Sequence, residues 1–163
     1  MMTLLRRSAV LAVLLFWTGG FTFYSAVVVH VGQDVLGSHR RQGFVTRRVT
    51  NFLNLAGAVA LPILAWDIIS SRDPSARRRR LRWCVWTGMA LTLVLLVWMH
   101  ARMDALLDPG EFRLLDPESF TVWHRGYLHV STVQWGCALA YGLLALMAWR
   151  AEDRISAGDK VTR

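Results

Sequence analysis

The stretch LRWCVWTGMALTLVLLVWMH, residues 81–100, decides the fold. Nineteen residues separate the Arg run at 77–80 from His100, and Arg82 is the one charge among them. A run of about 20 apolar residues is the length that crosses a hydrocarbon core as a helix. Three more runs of this kind occur, at 8–31, 52–69 and 120–149. Together the four take up more than half of the 163 residues and leave no room for a separate soluble domain. The expected fold is therefore all-α: a four-helix transmembrane bundle, with residues 1–163 forming a single integral membrane domain.

The first run begins after Arg6 and Arg7 and resembles a secretion signal at first. Its apolar character continues through FTFYSAVVV, well past the 7–15 residues of a signal core, and no small-residue cleavage site follows. It reads as an uncleaved first helix.

Composition supports this class. The chain is 54% hydrophobic and carries a formal net charge of +8. The basic residues sit between the apolar runs, where the positive-inside rule places them, so the charge argues for a membrane surface and against nucleic acid. Placing both termini inside puts twelve of the nineteen Lys and Arg on the inner side and seven on the outer side. The expected orientation is N-in/C-in, in a bacterial inner membrane. Arg40, Arg41, Arg47 and Arg48, in the first outer connection, fit it least well.

In that orientation His30, His100, His124 and His129 gather at the outer ends of three helices, with His39 in the first outer loop. Ionisable groups at membrane depth are costly and therefore default to a functional reading. Imidazole suits transition metals and haem iron, so these four histidines are the candidate metal ligands. His30, His100 and one helix-4 histidine form the best triad. His124 and His129 are five residues apart and cannot both face one centre on a regular helix. Met99 and Met103 lie beside His100 and suit a soft ion, although methionine more often fills gaps in cores. Asn51, Asn54, Tyr127 and Gln134 are the expected polar lining of the same site, with Ser131 and Thr132 nearby. The competing reading is structural: histidine, Trp and Tyr all sit comfortably at a membrane interface, and amides and hydroxyls join helices.

Asp67 is the acid inside an apolar run, near the inner end of the second helix. It reads as a snorkelling carboxylate paired with Arg72 and the 77–80 run. Gly19-Gly20 and Ala56, Gly57 and Ala60 read as points of close helix approach. Trp83, Trp86, Trp98, Trp123 and Trp149 read as interfacial belts. Cys84 and Cys137 lie at different depths, which argues against a disulfide. Asp108-Pro109-Gly110 reads as a turn. The sequence contains no nucleophile–base pair, phosphate loop or paired carboxylates, so enzyme activity is not indicated.

Four stretches carry a family resemblance: WTGGFTFYSAVVV at 17–29, QGFVTRRVTNFLN at 42–54, HARM at 100–103 leading to Asp108-Pro109, and FTVWH at 120–124. They resemble a family of small four-helix membrane proteins typified by eukaryotic transmembrane protein 205, whose bacterial members carry a domain of unknown function. The resemblance implies a four-helix integral membrane protein and no established reaction. Its F-x-x-x-H start of the last helix ranks His124 first among the histidines. The LHVSTVQW that follows, with His129 and Gln134, departs from the simpler small-and-amide pattern of the family.

The functional expectation is an outward-facing, histidine-lined polar site that binds or transports a transition metal. The alternatives are a haem- or quinone-linked redox subunit and a structural subunit of a larger complex. The bilayer is the first partner. A unit this small needs to form a homo-oligomer, or to join a larger membrane complex, to make a transport path.

Overall fold

A computed structural model describes residues 1–108 and 113–161. The chain runs through α1 (Met2–Phe23), a π-helical turn (Tyr24–Val28), α2 (Val29–Leu36), α3 (His39–Ser70), α4 (Ala76–Asp104) and α5 (Pro117–Val161). A two-residue ladder, β1 (Leu107–Asp108) with β2 (Arg113–Leu114), closes the connection between α4 and α5. Pro109 and Gly110 of the expected turn lie outside the described residues. Four segments are long and apolar enough to cross a membrane: Met2–Leu36, Arg41–Ser70, Ala76–Asp104 and Pro117–Gly158. The four-helix expectation is met.

Each helix extends beyond its apolar run. At 1.5 Å per residue α5 is about 67 Å long, roughly twice a hydrocarbon core. The first connection shrinks accordingly. Gly37, at φ 59°, ends α2 in the left-handed conformation that glycine adopts without strain. The Ser38 hydroxyl accepts the Arg41 N–H and starts α3 at His39. His39 is therefore a helical residue and not part of a long outer loop, and Arg41, Arg47 and Arg48 are on α3. Ser75 starts α4 in the same way through the Arg78 N–H. The Asp116 carboxylate starts α5, accepting the Glu118 and Ser119 N–H groups at 3.1 Å each.

The helices run up, down, up and down. α1 packs on α3, α3 on α4, α4 on α5, and α5 back on α1. Each contributes one inward stripe at three- and four-residue steps. Residues 6, 10, 14 and 17 are buried on α1, 60, 64, 67 and 71 at α3 and its C-cap, 89, 93, 96 and 100 on α4, and 138, 141, 145, 148 and 152 on α5. The middle of each stripe is apolar: Val10, Leu14, Leu64, Met89, Leu93 and Ala145 form the core. Outside, large apolar residues are turned away from the bundle, among them Phe16, Phe52, Leu91, Val94 and Leu143. In water such a surface would drive association, whereas in a bilayer it meets lipid tails.

Gly57 on α3 leaves room for Trp17 of α1. A Cβ there would lie 2.7 Å from the Trp17 ring. Gly19 faces open space and Gly20 makes only ordinary contact, so the expected approach through Gly19-Gly20 is not used. Replacing Gly57 with Leu should cost about 1–3 kcal/mol by overpacking, read as a lowered unfolding temperature in detergent, while Gly19→Leu should change little.

The connection between α3 and α4 is tied locally. Asp73 forms an ion pair with Arg78 and accepts the Ser75 N–H at 2.9 Å. Burial pushes the Asp73 carboxyl up, but the hydrogen bonds from Arg78 and Ser75 outweigh it and hold the group below its ordinary value. A carboxylate with a lowered folded-state pKa contributes stability above its unfolded value and loses it as pH falls through the folded value. The wild-type unfolding temperature should therefore fall more steeply below pH 4 than that of Asp73→Asn, compared by thermal unfolding at pH 7 and pH 3.

Candidate functional site

The up-down topology gives the bundle two chemically different ends. The ends of α2 and α4 meet the starts of α3 and α5 at one. The start of α1, the end of α3, the start of α4 and the C-terminal part of α5 meet at the other.

The first end holds a cavity of about 480 Å³. Its deep wall is apolar and aromatic, formed by Trp17, Phe21, Leu53, Leu96, Trp135 and Ala138. Polar side chains from three helices surround the rest: Gln42, Arg47 and Asn54 on α3, His100 and Asp104 on α4, and His124, Tyr127 and Gln134 on α5. Tyr24 and Ser25 of the π-helical turn complete the wall. A π-turn re-phases the helix that follows it and is frequent at functional sites. Here the Tyr24 hydroxyl donates to Thr46 Oγ1 at 2.7 Å, fixing the turn against α3.

Most of these groups already have partners. Arg47 Nε donates to Asp104 Oδ1 at 2.7 Å. The Tyr127 hydroxyl reaches Asn54 Oδ1 at 3.4 Å, and Gln134 Nε2 reaches the Met89 carbonyl at 3.4 Å. Ser131 and Thr132 donate back to carbonyls of their own helix, the usual fate of hydroxyls in membrane helices. Two groups do not. His100 is 7% exposed and Gln42 2% exposed. Both ring nitrogens of His100 and Nε2 of Gln42 are buried without a hydrogen-bond partner among the described residues. His100 Nε2 lies 3.6 Å from Asp104 Oδ2, an electrostatic contact beyond hydrogen-bond length. Buried polar atoms without partners cost about 1–3 kcal/mol each, so an orphan pair lining one cavity asks for an explanation.

The expected site residues divide cleanly. His100, His124, Asn54, Tyr127 and Gln134 line the cavity. His30, His129 and Asn51 are exposed and do not. His129 Nδ1 bonds the Arg125 carbonyl on its own helix at 2.7 Å. His124 stacks on Phe120 with ring centroids 6.0 Å apart. Among the described residues no group of three or more His, Cys, Asp or Glu side chains is placed to hold a metal ion. Met99 and Met103 are buried packing residues, and Met103 also lines the cavity. Cys84 and Cys137 are free.

The opposite end departs furthest from expectation. A charge cluster is buried there. Asp67 is fully buried and pairs with Arg82, also fully buried, and with Arg6, 3.0 Å away and 4% exposed. Arg6 Nε faces Asp67 at ion-pair distance without hydrogen-bond alignment, while its other nitrogens donate to the Ser70 carbonyl and to Glu152. Trp149 Nε1 donates to Asp67 at 3.0 Å, and Arg82 donates to the hydroxyls of Ser71 and Tyr141. Arg7 joins Glu152 and Asp153. Three guanidinium groups thus face three carboxylates, and the cluster ties α1, α3, α4 and α5 together.

Asp67 is therefore not a snorkelling acid, and Arg72 and the 77–80 run are not its partners. It faces the bundle axis, where only residues on the inward stripes of the other helices can reach it. Arg82 is on that stripe, whereas Arg77, Arg79 and Arg80 are exposed and Arg78 takes Asp73. Trp149 is likewise a core residue holding Asp67 and not part of an interfacial belt.

No protein-family model, curated protein or solved structure matches the chain, so the site rests on its own geometry.

Proposed function

We propose that this integral membrane protein binds a small ligand in the cavity at the His100 end of the bundle. The carrying observation is the pair of buried, unpartnered side chains, His100 and Gln42, on one 480 Å³ cavity. That volume falls in the range of small-molecule sites, and an apolar wall with a few convergent polar groups is their usual chemistry. The likeness to the transmembrane protein 205 family supports the membrane role and adds no reaction.

The distribution of Lys and Arg favours both termini inside, with the cavity on the outer side; a bacterial inner membrane is the proposed location. A reporter fused to the C-terminus that fluoresces only in the cytoplasm should be bright. Dark fusions with intact expression would reverse the orientation.

The geometry favours binding over transport by a single copy. Beneath the cavity lie the packed core of Leu14, Leu93 and Tyr141 and then the charge cluster, so the cavity is blind. It also favours an organic ligand over a metal ion, because the four histidines do not converge. The test is mass spectrometry and elemental analysis of protein purified gently from its membrane. A stoichiometric organic compound is expected, and it should be lost from the double variant Gln42→Leu/His100→Phe while the helix content stays unchanged. Stoichiometric metal retained by that variant, or no compound at all, would contradict the reading.

A further inference from the structure

The cavity's chemistry narrows its ligand, and this step rests on the binding reading above. We propose that the site takes a neutral, lipid-dissolved ring compound bearing carbonyl or hydroxyl oxygens, of the quinone or phenol type, which enters between α1 and α5.

Charge excludes the simplest alternatives. Arg47 and Asp104 both line the cavity and are paired with each other. An anion would have to compete with Asp104 and a cation with Arg47. Water-soluble polyols fit poorly, because Trp17, Phe21, Leu96, Phe120 and Trp135 make most of the wall aromatic or aliphatic. Flat aromatic faces favour a ring, which they meet by stacking or edge contact.

The orphan groups state what the ring must carry. Gln42 Nε2 is a donor and needs an acceptor oxygen. Neutral His100 has one ring N–H to donate and one nitrogen to accept, so it can serve a carbonyl or a hydroxyl. A compound that changes between carbonyl and hydroxyl forms satisfies His100 in either form.

The route is set by how the seam between α1 and α5 is held. At the charged end Arg6 and Arg7 lock α1 to α5 through Glu152, Asp153 and the Trp149 carbonyl. At the cavity's level the seam is crossed by the exposed hydrogen bond from Trp135 Nε1 to Thr22 Oγ1, at 3.0 Å. Ser25 and Leu128, from the two sides of the bundle, line the cavity and are exposed. The exposed flanks are covered with lipid-facing residues such as Phe23, Val27 and Val133. A ligand dissolved in the bilayer therefore reaches this mouth without crossing water.

The probe is decylubiquinone, titrated into the full-length protein in lipid nanodiscs. The readouts are quenching of tryptophan fluorescence, since Trp17 and Trp135 line the site, and the shift in unfolding temperature. Decylbenzene, with a ring and tail but no oxygens, is the comparison. Saturable decylubiquinone binding is expected, weakened at least tenfold in Gln42→Leu and in His100→Phe. Ser25→Trp should abolish it by blocking the mouth from an exposed position that leaves the core intact. Equal binding of decylbenzene, with Gln42→Leu and His100→Phe behaving as wild type, would overturn the ligand class and leave a cavity that takes any lipophile or acyl chain. If neither compound binds saturably, the proposal falls. In that case a different compound found by the co-purification experiment would preserve the binding reading, and a blank there would remove both.

Discussion

Asp67→Ala should destabilise the bundle by about 3–5 kcal/mol, the cost of breaking a buried ion pair by removing one partner. Arg6 and Arg82 are 4% and 0% exposed, so neither guanidinium can reach water when the carboxylate is gone. Trp149 Nε1 would lose its acceptor as well. The expected result is a large fall in unfolding temperature and in the yield of monodisperse protein, measured by fluorescence-detected size exclusion after heating. Charge removal as such is not the cause. The triple variant R6M, D67L, R82M takes out Asp67 with both of its guanidinium partners and leaves Glu152 to Arg7 and the Arg72 N–H, so it should recover most of the loss. If Asp67→Ala unfolds as wild type does, the cluster is not assembled as described. If the triple variant is as unstable as the single one, packing or the Trp149 hydrogen bond outweighs charge.

That cluster explains why four helices with interchangeable apolar stripes settle in one register. Apolar residues can slide past one another by a turn at modest cost. Arg6, Asp67, Arg82 and Glu152 meet one another only when each helix end is at one height. In this account the cluster specifies the arrangement more than it adds net stability, because desolvating the ions consumes much of their attraction.

Trp17→Ala should also cost about 3–5 kcal/mol, as large-to-small replacements of buried aromatics do. Trp17 is 5% exposed, fills the notch that Gly57 leaves on α3, and forms part of the cavity wall. Its loss would enlarge the cavity into the core. Gly57→Leu on top of Trp17→Ala should recover part of the loss, because the new side chain occupies the space of the missing ring. A double-mutant cycle by thermal unfolding would then give a coupling of about 0.5–3 kcal/mol. Strict additivity of the two changes would mean that Trp17 and Gly57 do not meet.

The fold was legible because the hydrocarbon core imposes a length, and the runs at 8–31, 52–69, 81–99 and 120–149 meet it. Length says nothing about which way a side chain faces. His30 and His129 share a level with His100 and His124 but lie on other helix faces. Nearness in the chain points Asp67 to Arg72 and the 77–80 run, whereas its partners, Arg6 and Arg82, are on inward stripes. The missing signal was periodicity: Arg6 is four residues before Val10, Asp67 three after Leu64, and Glu152 seven after Ala145, each continuing a buried stripe. Gln42 and Arg47 were obscured in a different way. Arg47 reads as part of the first outer connection and Gln42 carries no structural signal, because the two-residue connection at 37–38 depends on a left-handed Gly37 and a Ser38 cap that apolar runs do not reveal.

The most direct test of the central claim is an experimental structure of the protein in nanodiscs made from its own membrane, at a resolution that shows side chains. Ring-shaped density against Gln42 Nε2 and His100, bounded by Trp17 and Trp135, is the predicted result. A collapsed cavity in which His100 and Gln42 have found partners within the protein would contradict it.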